Sequence, residues 1–95
     1  MFLGKYEYEG DPDELLAGYD RLMTQIPRES IGIHICIRVD GGITIYDTCP
    51  TAEVWMSFAN DPNIRAAMVA VGLPEPTVTP LGEVHSALAA AEHVI

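Results

Sequence analysis

The stretch SIGIHICIRVDGGITIYDTC, residues 30–49, alternates apolar and polar residues on both sides of a glycine pair. Ile31, Ile33, Ile35, Ile37 and Val39 interleave with Gly32, His34, Cys36 and Arg38, the period of two that marks a strand with two different faces. Two antiparallel strands joined by a tight turn satisfy this pattern. A three-residue loop over Asp40-Gly41-Gly42, with Gly42 in the left-handed conformation, would pair Val39 with Ile43 and Ile37 with Ile45. One face then holds Ile33, Ile35, Ile37, Val39, Ile43 and Ile45 and continues to Asp47 and Cys49. The other holds His34, Cys36 and Arg38 beside Thr44, Tyr46 and Thr48. A two-residue loop would slip the register by one and mix the faces. The isoleucine face is therefore expected to lie beneath a layer of helices.

The flanking segments supply the partners. Phe2 to Glu9 is an aromatic-rich strand whose inward set the pattern leaves open. Asp11-Pro12-Asp13-Glu14 is a helix start, with Asp11 as N-cap, Pro12 at the first position and Glu14 where a capping-box acid belongs. Capping accounts for these acids without a metal. Leu15, Leu16, Tyr19, Leu22, Met23 and Ile26 follow the helical period, and Pro27 stops the helix. After the hairpin, Thr51 caps a second helix with Val54, Trp55 and Phe58 on its apolar face. Asn60-Asp61-Pro62 breaks it, and Pro62 opens a further helical piece carrying Ile64, Ala67, Met68 and Val71. Gly72 and Pro74 end that piece. Thr77 to His85 is a fourth strand, and Pro80 confines it to an edge or a bulge. Residues 86–95 form an Ala-rich tail, a short helix or a frayed end.

Ninety-five residues make one domain, spanning 1–95 with no linker or internal repeat. A net charge of -9 with five Lys and Arg argues against a nucleic-acid partner and against anionic lipid. The N-terminal MFLGKYEYE lacks a signal-peptide pattern, and no apolar run is long enough for a membrane span. Cys36 and Cys49 fall on opposite faces in the register above, so no disulfide is expected and a reducing, cytoplasmic setting fits. His34, His85 and His93 have no metal-ligand spacing. No metal and no cofactor are expected.

Strand, helix, strand, strand, helix, strand is the ferredoxin-like βαββαβ order, an α+β fold with a four-stranded antiparallel sheet. Its helices cover one face only. The other face then carries apolar and aromatic surface that a second copy would cover, so a homodimer closed sheet-to-sheet into an α+β barrel is expected.

At this point the residues resemble the dimeric α+β barrel superfamily, in its antibiotic-biosynthesis-monooxygenase-like branch, over about residues 2–85. The resemblance rests on Tyr46-Asp47-Thr48-Cys49-Pro50-Thr51-Ala52-Glu53-Val54-Trp55-Met56-Ser57-Phe58, on Asp61-Pro62-Asn63-Ile64-Arg65-Ala66-Ala67-Met68, and on the closing Glu83-Val84-His85. It implies a pocket between sheet and helices and, often, cofactor-independent oxidation of a small aromatic or apolar molecule. Haem-degrading members use an Asn on strand one, a Trp at the exit of strand three and a His in the second helix. Here strand one has no Asn, Cys49 stands at the Trp position and Met68 at the His position, so haem degradation is not expected.

Two candidate sites follow. The helix-side pocket would be lined by Asp47, Cys49, Trp55, Phe58, Met68 and Tyr19. Asp47 is its candidate general acid or base, against the simpler role of bonding backbone amides at the next helix. His34, Cys36, Arg38 and Tyr46 form the dimer-interior candidate, as a hydrogen-bond network across the two-fold axis or as a site for an anionic small molecule. The functional readings are a small-molecule-binding barrel, monooxygenase-like or isomerase-like if active, and a non-catalytic dimerisation or binding module.

Overall fold

The computed structural model describes residues 1–27 and 32–88. Ser30 and Ile31, read as the start of the hairpin, and residues 89–95 with His93 lie outside the described residues. The elements are β1 (Phe2–Glu9), α1 (Pro12–Met23), β2 (His34–Val39), β3 (Gly42–Cys49), α2 (Ala52–Ala59), α3 (Pro62–Ala70) and β4 (Thr77–Glu83). The four strands form one antiparallel sheet in the order β2-β3-β1-β4. Residues 86–88 are neither helix nor strand.

The helix starts are chemical. Asp11 accepts a hydrogen bond from the Glu14 amide, Thr51 Oγ1 from the Val54 amide at 3.1 Å, and Asp61 from the Asn63 amide at 2.8 Å. The Thr51 cap fixes the helix that carries Trp55. Thr51→Ala should cost about 1 kcal/mol, read as a lower urea midpoint at unchanged slope. A midpoint equal to wild type would show that the cap contributes nothing.

The hairpin register differs from the expected one by one residue. Val39 pairs with Gly42, Ile37 with Thr44 and Arg38 with Ile43, so the loop is the two-residue Asp40-Gly41. Gly41 takes the positive φ, at 75°. Gly42 is glycine for another reason: a Cβ there would stand 2.0 Å from the Tyr8 carbonyl oxygen of β1. The second glycine thus admits a neighbouring strand and does not belong to the turn.

This slip turns every β2 side chain over. The sheet face beneath the helices holds His34, Cys36 and Arg38 of β2, Ile43, Ile45, Asp47 and Cys49 of β3, and Phe2, Gly4, Tyr6 and Tyr8 of β1. Ile35, Ile37 and Val39 face the opposite side, helix-free among the described residues, and Ile33 continues their row. The four are 38%, 50%, 39% and 36% exposed in chain order. The isoleucines of β2 are therefore not the floor of the core, whereas Ile43 and Ile45 of β3 are, at 0% and 5%.

The core joins Tyr6, Tyr8, Ile43, Ile45 and Cys49 of the sheet to Leu15 and Leu22 of α1, Trp55 and Ala59 of α2, Met68 of α3, and Val71 and Leu73. Alpha-helical spacing selects Trp55 and Ala59, while Val54, expected inside, is exposed and Phe58 is half-buried. Pro80 lies on the edge strand β4, where the β1 register shifts between Leu3 and Gly4. Both expected escapes for a strand proline are used together.

Candidate functional site

Reading across the helix-side face gives rows set by the register. One row runs Cys36, Ile45, Tyr6, Val78; the next runs His34, Asp47, Gly4, Pro80. Trp55 descends from α2 onto Gly4, and Tyr19 descends from α1 onto His34. Asp47 is thereby enclosed between a histidine and a glycine covered by an indole, and is only 5% exposed.

Tyr19 Oη lies 2.7 Å from His34 Nε2, with the two rings stacked at 5.7 Å between centroids and 18° between planes. His34 Nδ1 is 3.5 Å from Asp47 Oδ1, ion-pair distance without hydrogen-bond geometry. Trp55 is fully buried against Phe2 and Tyr6, its ring centroid 5.8 and 5.6 Å from theirs. Among the described residues, four buried polar atoms here have no protein partner: Tyr6 Oη, His34 Nδ1, Asp47 Oδ1 and Trp55 Nε1.

Each such atom costs about 1–3 kcal/mol, against a total stability of about 5–15 kcal/mol for a domain. Four within one layer are not explained by stability. They comprise an indole N–H that can only donate, a carboxylate oxygen that can only accept, a phenol and an imidazole nitrogen. Burial, then the Asp47 charge, pushes the Tyr6 hydroxyl far above its ordinary range, so it stays protonated and able to donate. Such a mixed set matches a neutral polar group, such as a hydroxyl or carbonyl, better than an anion placed beside Asp47.

Of the helix-side residues singled out in the sequence, Asp47, Trp55 and Tyr19 belong to this cluster. Cys49 is buried one row beyond, opposite Phe2. Met68 accepts a 3.2 Å hydrogen bond from Tyr8 Oη in the core. Phe58 stays half-buried on α2. The dimer-interior candidates separate. Tyr46 lies on the helix-free face, but His34, Cys36 and Arg38 lie on the helix side, because the loop is one residue shorter than expected. Arg38 pairs with Asp13 of α1 at the exposed edge. Burial, then Asp20, pushes the Cys36 thiol up to about 11, so it is an uncharged packing group at neutral pH.

Cys36 and Cys49 share a face, contrary to expectation, yet both are free thiols. Cys36 pairs with Ile45, four residues before Cys49, and at about 3.4 Å per residue along the strand that puts roughly 14 Å between the two positions. No disulfide spans that distance. Among the described residues, no group of three or more His, Cys, Asp or Glu side chains could hold a metal ion, and no helix is long and apolar enough to cross a membrane.

Gly4 and Tyr6 escaped the sequence reading. A glycine inside an aromatic strand signals close approach, and that signal was available for Gly4. The role of Tyr6 depended on knowing which face of β1 turns inward.

No family model and no curated protein matches the sequence. Among solved structures, the fold matches a Deinococcus radiodurans protein provisionally assigned as an antibiotic biosynthesis monooxygenase. The TM-score is 0.61 at 12% identity, over 96% of this chain and 99% of that one. Likeness at this identity establishes a shared fold across almost the whole domain.

Proposed function

We propose that this chain, which has the antibiotic-biosynthesis-monooxygenase-like α+β fold, is a homodimeric small-molecule-binding protein that oxidises a small aromatic or apolar substrate without a cofactor. The observation that carries the proposal is the set of unpartnered, buried polar atoms around Asp47. A bound molecule would supply their partners, and an aromatic wall of Phe2, Tyr6 and Trp55 stands beside them. The activity provisionally assigned to the structural neighbour agrees in class.

The chemistry needs only a base and O2. His34, beside Asp47, is the base that receives the proton released by an acidic C–H of an activated ring carbon. The carbanion supplies the electrons and adds O2 to give a hydroperoxide anion. That anion takes the proton back and loses water, leaving a ketone, so one oxygen goes to product and one to water. Arg38 and the thiols have no part in it.

The helix-free face supports the dimer. Ile33, Ile35, Ile37 and Val39 form an exposed apolar row on an edge strand, the kind of surface a second copy covers. A cytoplasmic location agrees with the two free thiols.

A specific observation favours a second reading, the non-catalytic binding module. Trp55 fills the space between sheet and helices, and two surface hollows lie away from it, the second of them touching Met68. One is lined by Glu53, Met56, Ser57, Asn60, Asp61 and Pro62; the other, about 230 Å³, lies at the end of α3 beside Leu73, Pro74 and Pro76.

Trp55 is the single tryptophan of the chain, so its fluorescence reports directly on the site. A panel of small hydroxylated aromatics should quench it saturably, and the effect should disappear in Asp47→Ala. Oxygen-electrode traces then separate the readings: O2 uptake with a bound, reduced aromatic marks the enzyme, and binding without uptake marks the module. No saturable quenching by any member would sink the small-molecule site.

A further inference from the structure

We propose that Tyr19 carries the proton between a bound ligand and His34, as the outermost member of an Asp47–His34–Tyr19 relay; this rests on the small-molecule site above. The assignment follows from which nitrogen faces what. A carboxylate oxygen 3.5 Å from Nδ1 favours a proton on that nitrogen, so neutral His34 carries Nδ1–H and keeps its lone pair on Nε2. Tyr19 Oη, 2.7 Å from Nε2, is then the donor of that hydrogen bond. Nε2 is engaged by the phenol, and Nδ1, carrying its proton toward Asp47 without a hydrogen bond, offers no lone pair. A ligand meets no vacant lone pair on the imidazole itself, whereas the Tyr19 oxygen can still accept.

The half-buried position of Tyr19 makes it the accessible end of this line, with Asp47 at the closed end. Burial, then the neighbouring Cys36, Asp20 and Asp47 in that order, pushes the Tyr19 hydroxyl up to about 12. The phenol therefore holds its proton at rest and gives it up only as another arrives. In the transfer the ligand X–H bond breaks and a new Oη–H bond forms. The old Oη–H bond breaks as Nε2–H forms. The products are a ligand anion and an imidazolium facing Asp47. Tyr19 thus returns to its starting state, and His34 stores the proton.

The relay is tested on the free protein by long-range 1H–15N correlation of the histidine rings. The expected result for neutral His34 is the Nδ1–H form with a hydrogen-bonded Nε2. Tyr19→Phe keeps the ring stack but removes the hydroxyl, and should move the Nε2 resonance alone. If that variant fails to fold, the wild-type form decides by itself. An Nε2–H form overturns the relay, because Tyr19 would then be accepting and could pass no proton inward. As a second readout, 4-nitrophenol shows its ionised fraction by absorbance. Bound to wild type it should be more ionised than when bound to Tyr19→Phe by about tenfold, the equivalent of one pKa unit. Equal ionisation in the two bound forms also overturns the relay. Absence of nitrophenol binding counts against the small-molecule site, and the ring form still decides the relay.

Discussion

Gly4→Ala should destabilise the domain by about 3 kcal/mol or more, at or beyond the upper end of ordinary overpacking, lowering Tm by roughly 15 °C. A Cβ at Gly4 would stand 1.9 Å from Trp55 Cζ2 and 2.1 Å from Cε2. Real atoms do not approach so closely, and the indole has nowhere to go. It is fully buried, held between the Phe2 and Tyr6 rings and anchored on a short capped helix. Displacing it would open the aromatic core around Phe2 and Tyr6. Urea unfolding by circular dichroism measures the loss, and Trp55 fluorescence shows whether the indole has moved. Gly82→Ala is the control, because a Cβ there meets nothing within 4 Å. Equal stability of the two variants would show that Trp55 does not rest on strand one.

Ile35→Asp should leave a folded monomer, while Ile45→Asp should not fold. The two isoleucines belong to the same hairpin and differ only in the face they occupy. Ile35 is 50% exposed on the helix-free side and Ile45 is 5% exposed under the helices. A carboxylate at position 45 would be buried without a partner, a cost well beyond what a small domain tolerates. One at position 35 would remain hydrated in the monomer and would be desolvated only where a second copy covers the face. In the proposed dimer, two-fold symmetry would place each substitution twice in the interface. A loss of about 2 kcal/mol per copy therefore weakens the dimer by roughly a thousandfold. Light scattering after size exclusion reads the mass, and circular dichroism reads the fold. A folded Ile45→Asp beside an unfolded Ile35→Asp would reverse the hairpin faces. A wild-type chain that is monomeric at micromolar concentration would remove the dimer from the proposal.

Most of the element boundaries were legible locally. Asp11-Pro12, Thr51 and Asp61-Pro62 start helices because their side chains or fixed φ satisfy the first turn, which requires nothing beyond the neighbouring residues. Pro80 announced an edge or bulge because a missing N–H cannot serve an inner strand. The order of elements then yielded the ferredoxin-like sheet. The candidate site was legible only in parts. Asp47, Trp55 and Tyr19 were picked out one by one, but their meeting with His34 and Tyr6 was not foreseen.

The reason lies in the hairpin. Alternation in residues 33–39 says that β2 has an apolar and a polar face; it carries no information about which of them the helices cover. Assigning the isoleucines to the core assumed that one chain must bury its own apolar residues. The second glycine of Asp40-Gly41-Gly42 admitted two explanations of equal local merit, a positive φ or a close neighbour. The choice fell to the carbonyl of Tyr8, some thirty residues away in the chain, which leaves no room for a Cβ at Gly42. Local chemistry thus laid out the strands, caps and breaks of this protein. Long-range packing set the register, and a shift of one residue put His34 beside Asp47 and Tyr19 and left the isoleucine row facing outward.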